Sequence, residues 1–119
     1  MEEIDVNTYL FKENLFDLFK EQLKKDFEGA GANSDFTGDL PRDLEALKLV
    51  LLHELKIISN NSSTLIASLL YRIDISEIQI RNYQLKNSSL SFEEVLAELI
   101  IKRILQKVIL KKTYSTKNG

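Results

Sequence analysis

The sequence predicts an all-α protein, a compact bundle of about five helices with no sheet, and three observations carry that expectation. Glycine and proline are scarce, four and one in 119 residues, and these are the residues that helix interiors exclude. Apolar side chains recur every three or four positions through most of the chain, the spacing of one helix face. Serines stand three residues before glutamate or glutamine at points where a helix would begin. With 44% hydrophobic and 29% charged residues, the composition is that of a globular chain. The length suits a single domain, residues 1–119, large enough to bury about two-thirds of its unfolded surface.

The first helix is expected from about Thr8 to Glu28, capped by Asn7. Phe11, Leu15, Leu18, Phe19, Leu23 and Phe27 share one face, while Glu13, Asp17, Lys20, Glu21, Lys24 and Lys25 take the other. Gly29 and Gly31 end it. Residues 29–40 read as the one long loop, with Phe36 available to pin it to the core. A second helix, apolar on most sides and therefore expected at the centre of the bundle, begins near Pro41 and runs to Ile58 on a stripe of Leu44, Leu47, Leu51, Leu55 and Ile58. Leu49, Val50, Leu52 and Ile57 widen its apolar surface. Asn60 to Ser63 stops this helix and caps a short third one, to about Arg72.

From Tyr71 to Arg81 the chain alternates like a strand. Ser76-Glu77 is a poor hairpin turn, whereas Asp74 with Glu77, or Ser76 with Gln79, makes a capping box. A short fourth helix from Ser76 to about Leu85 is the better reading. The fifth helix is marked most clearly. Ser91 and Glu94 form a capping box, Leu90 and Val95 occupy the hydrophobic-staple positions, and the helix should run from Phe92 to about Lys112. The architecture is thus two long terminal helices, a long apolar central helix and two short ones, with residues 1–6 and 113–119 as flexible termini.

Charge is uneven along the chain. Residues 1–60 carry 13 acids and 7 bases, net −6, and residues 61–119 carry 5 acids and 9 bases, net +4. The absence of cysteine excludes disulfides, thiolate metal sites and cysteine nucleophiles. The acidic opening Met1-Glu2-Glu3-Ile4-Asp5 lacks the apolar core of a signal peptide, and no run of about 18 apolar residues offers a membrane span. A cytoplasmic location is expected.

No catalytic, metal-binding or phosphate-binding constellation is legible. His53, the one histidine, is followed by Glu54 without a second histidine four residues on, so the zinc-protease motif is missing. The Gly-rich loop is neither preceded by a strand nor followed by Lys-Ser/Thr. Glu94 and Glu98 lie one turn apart, but capping and ion pairing explain them. The serines at 62–63 and 88–91 sit where helices start. No cofactor, metal or small-molecule ligand is expected, and the sequence gives no reason to call the protein an enzyme.

The fifth helix holds the one anomaly. Phe92, Val95, Leu96, Leu99 and Ile100 cluster on one face, whereas Ile101, Ile104, Leu105, Val108 and Ile109 cluster on a face turned by about 170°. Three readings compete: a kink near Ile100–Lys102, cover on both sides by the rest of the domain, or a partner packed on the second half. The last is preferred, which makes Ile101, Ile104, Leu105, Val108 and Ile109 a candidate interface with a second copy or another protein. The functional expectation is a small interaction, adaptor or regulatory module, self-associating through its C-terminal helix. The alternative is a nucleic-acid-binding regulator, using a helix-turn-helix-like pair at 63–85 and a basic surface of Arg72, Arg81, Lys102, Arg103, Lys107 and Lys111.

Overall fold

A computed structural model describes residues 13–118, with side chains described from 15 to 112. Among these residues the chain forms five α-helices and no strand: α1 (Glu13–Gly29), α2 (Leu44–Asn61), α3 (Ser63–Ile73), α4 (Glu77–Lys86) and α5 (Phe92–Asn118), with a 3₁₀ turn at Asp35–Asp39 between α1 and α2. The expected start of the first helix at Thr8, its Asn7 cap and the expected flexible segment 1–6 lie outside the described residues.

In α1, Leu15, Phe16, Phe19, Leu23 and Phe27 are buried. Leu18, read from the sequence as part of this face, stands at its edge and is 39% exposed. The helix ends as expected at the glycines. Gly31 adopts φ +86°, a conformation that glycine enters without steric penalty, and the Ala32 amide returns to the Phe27 carbonyl at 2.9 Å. The loop that follows is tied to the bundle. Phe36 meets the Phe27 ring edge-on at 4.9 Å, the buried Thr37 hydroxyl donates to the Ser34 carbonyl at 2.7 Å, and Ala32 and Leu40 are buried.

The second helix starts at Leu44 rather than near Pro41. Asp43 takes an extended conformation and its carboxylate accepts from the Ala46 amide, so a side-chain cap two residues downstream of the proline sets the boundary. Ser62 ends α2 through its amide and opens α3 through its hydroxyl, which accepts from the Leu65 amide at 3.1 Å.

The ambiguous stretch after α3 resolves into a turn and a helix. Of the two capping boxes the sequence offers, Ser76 and Gln79 form the one used: the Gln79 amide donates to the Ser76 hydroxyl and the Ser76 amide to Gln79 Oε1. Asp74 closes α3 in the left-handed conformation, φ 73°. The Ile75 amide reaches back to the Leu70 carbonyl at 2.9 Å, which is the Schellman arrangement. A β-branched side chain is poorly tolerated at such a φ. Asp74→Val is therefore expected to destabilise by about 1–3 kcal/mol, while Asp74→Gly stays within about 1 kcal/mol of the parent because relief of strain offsets the lost Arg103 ion pair. Urea unfolding of the two variants measures both.

The bundle is organised around α5, which packs against each of the other four helices. The sequence expectation placed α2 at the centre. Instead, α2 buries Leu47, Leu51, Leu55 and Ile58 on one side and leaves Leu49 67% and Ile57 42% exposed. A helix can be apolar on most sides and still lie on the outside. The fifth helix also passes the expected end at Lys112, so backbone 113–118, read from the sequence as a flexible tail, is helical. No glycine or proline interrupts it before Gly119, and helices stop only where something stops them.

Candidate functional site

The reversed face of α5 is covered by the protein's own chain. Val95, Leu96, Ile100, Ile104 and Leu105 are 0% exposed, Ile101 is 1% and Val108 is 2% exposed; Ile109 is half-buried against the same core. Helical from Phe92 to Asn118, α5 needs no break to bury both faces, because its neighbours change along its length. Glu98 reaches Lys48 of α2 at 3.6 Å and accepts from the Tyr83 hydroxyl of α4. Further on, Arg103 meets Asp74 at 3.1 Å, Lys107 meets Asp26 at 2.8 Å, and Lys111 donates to Gln22. The first half therefore sits against α2 and α4, and the second against α1 and the end of α3. Ile101, Ile104, Leu105 and Val108 are core residues rather than an open interface, which corrects the sequence reading. Four helices, two of them short, suffice to wrap a fifth.

The basic residues singled out from the sequence are mostly engaged as well. Arg72 lies 3.5 Å from Asp26, Arg103 and Lys107 make the ion pairs just described, Lys111 is bound to Gln22, and the Lys102 ammonium sits 5.1 Å above the Tyr83 ring. Arg81 is exposed on α4. In α4, Gln79, Arg81, Asn82 and Lys86 face solvent, beside Ile78 and Leu85, which are 67% and 76% exposed. Five of these six basic residues are thus held by contacts within the chain.

Beneath them lies a polar centre that the sequence reading passed over. Asp26 is 2% exposed and accepts from Lys107 Nζ at 2.8 Å and from Gln22 Nε2 at 3.1 Å, with Arg72 Nε at 3.5 Å. Lys107 also donates to the Arg72 carbonyl at 3.2 Å. The absence of a side chain at Gly29 permits this packing, since a Cβ there would stand 2.7 Å from the Arg72 guanidinium carbon. The signal was present: at about 100° per residue, Asp26 falls between Leu15 and Phe19, inside the apolar face of α1. Its role is structural, a salt bridge that ties α1, α3 and α5 together.

The most site-like feature is a recess of about 280 Å³ between α2 and the first turns of α5. Leu49 and Leu52 of α2, Leu90 of the preceding turn and Ala97 of α5 provide its apolar surface, and Glu45, Lys48, Glu94 and Glu98 border it. Leu90 and Ala97 are positioned by the start of α5. There the Glu94 amide donates to the Ser91 hydroxyl, and the Ser91 amide donates to Glu94 Oε1 at 2.9 Å. The Ser91 amide, then its hydroxyl, lower the Glu94 pKa from its ordinary value, against an opposing effect of desolvation and with help from the Lys56 charge. From the sequence, Leu49 and Leu52 were merely apolar surface beyond the main stripe of α2, and Glu94 was a cap.

No protein-family model matches this chain, and neither a curated protein nor a solved structure is significantly similar to it. Among the described residues, no group of three or more His, Cys, Asp and Glu is placed to hold a metal ion, and no helix is long and apolar enough to cross a membrane. His53 is exposed on the outside of α2.

Proposed function

We propose that this chain is a non-enzymatic helical interaction module, of the adaptor or regulatory kind, which receives a protein partner in the recess between α2 and α5. The observation that carries this reading is Leu49, 67% exposed in a concavity with Leu52 and Leu90 and ringed by charged side chains. An apolar centre inside a polar rim is the usual anatomy of a protein interface. The volume falls just below the roughly 300–1,000 Å³ of small-molecule pockets, a better fit to anchoring side chains than to a metabolite. The reading keeps a protein partner but moves it away from the second half of α5, whose apolar residues are already covered. A cytoplasmic setting goes with it, supported by the cysteine-free composition.

Site-specific photo-crosslinking in cells tests the proposal. A benzophenone side chain at position 49 is expected to trap a discrete protein adduct, and the same group at the exposed Lys24 position of α1 is not. No adduct at either position, or the same adducts at both, would remove the recess as the docking surface.

A further inference from the structure

We infer that the occupant of the α2–α5 recess is a basic amphipathic helix, an inference that rests on the docking role proposed above. The first ground is charge. Three carboxylates and one ammonium border the apolar surface, and the ammonium is already shared, since Lys48 lies 3.6 Å from Glu98 and 3.9 Å from Glu45. The Glu45 side chain is 82% exposed, and the Ser91 contacts lower the pKa of Glu94 from its ordinary value. The rim is thus net acidic. It repels phosphate groups and favours lysine and arginine.

The second ground is form. The described residues include no strand, so there is no sheet edge to which an extended peptide could add. Of the recurrent modes of peptide recognition, a helix laid in a groove is the one this surface offers. From Glu45 to Leu52 the recess follows α2 for eight residues, a rise of about 10 Å at 1.5 Å per residue. This is two helical turns, the span over which an incoming helix presents apolar residues at i, i+3 or i+4, and i+7. Leu49 and Leu52 meet that stripe, and Glu45 and Glu94 meet the basic residues that flank it.

The test is a titration of the full-length isotope-labelled protein, followed by amide chemical shifts. Three synthetic 18-residue peptides are compared: a leucine–lysine amphipathic helix, its leucine–glutamate counterpart, and a scrambled leucine–lysine sequence of the same composition. The basic helix is expected to shift the amides of Leu49, Leu52, Leu90 and Ala97, and the other two peptides are not. Glu45→Gln with Glu94→Gln removes two charges while glutamine keeps the α5 cap; it should weaken binding roughly tenfold at low salt, the range expected for two exposed ion pairs. Equal binding of the acidic or scrambled peptide, unchanged affinity of the double variant, or no shift around Leu49 with the basic helix overturns the inference. If position 49 still captures a protein in cells while the basic helix leaves these amides unmoved, the docking role stands and the basic-helix occupant falls. If position 49 captures nothing, both fall.

Discussion

Ile101→Lys is expected to cost about 4–6 kcal/mol, most or all of the stability of a domain this size. Ile101 is 1% exposed and belongs to the continuous core of α5, with Ile100, Ile104 and Leu105. The substitution removes a buried branched side chain, a loss of about 1.5–3 kcal/mol. It also forces an ammonium either to stay in apolar surroundings or to give up its proton, which adds a penalty of similar or greater size. The same change on a face left open for a partner would have the opposite character, because lysine on an exposed helix surface is a favourable residue. The variant therefore separates a bundle closed around α5 from one that leaves its second half uncovered. Circular dichroism and urea unfolding provide the readout.

Asp26→Ala is expected to cost about 3 kcal/mol, near the lower end for breaking a buried ion pair. The carboxylate is 3% exposed and Lys107 18% exposed, so removing Asp26 leaves the ammonium short of both its charge partner and much of its hydration. The lower end applies because Lys107 keeps its bond to the Arg72 carbonyl and some contact with water. Arg72, 44% exposed, adds little to the loss. Asp26→Leu with Lys107→Met should regain most of the stability, since apolar residues of similar volume often replace a buried pair without penalty. Urea unfolding of the two variants measures the loss and its recovery. A loss under about 0.5 kcal/mol for Asp26→Ala would show that the polar centre does not hold α1, α3 and α5 together.

The legibility of this chain in its sequence divides along a physical line. Whatever local chemistry decides was readable. Ser91 with Glu94, Ser76 with Gln79, and Ser62 ahead of α3 satisfy backbone groups within three residues, so short sequence windows contain them. Asp43 was missed because Pro41, an equally good start signal, stands two residues before it. What depends on neighbours was not readable from periodicity. The turn of the apolar face along α5 is a property of one helix, but its cover comes from α2 and α4 at one end and from α1 and α3 at the other. No helical wheel shows which helices lie alongside. Treating two apolar faces as too many for a small bundle led to a partner on Ile101, Ile104, Leu105 and Val108.

The polar centre and the recess illustrate the same limit from two sides. Asp26 lies within an apolar face, and an acid there signals a buried partner; which bases would meet it required the placement of Lys107 and Arg72, 81 and 46 residues away in sequence. Leu49 and Leu52 could not be told from core residues until α2 was seen to lie on the outside. The surface that carries the proposed function was thus hidden by its resemblance to the core, and the core of α5 was mistaken for a surface.

The most direct measurement is the urea unfolding free energy of Ile101→Lys beside that of Leu110→Lys, a position on the same helix that is 47% exposed. A bundle closed around α5 gives a loss of about 4–6 kcal/mol, or no folded protein, at position 101 and a change within about 0.5 kcal/mol at position 110. Two folded variants, both within about 0.5 kcal/mol of the parent, would contradict it and return the second half of α5 to the role of an open interface.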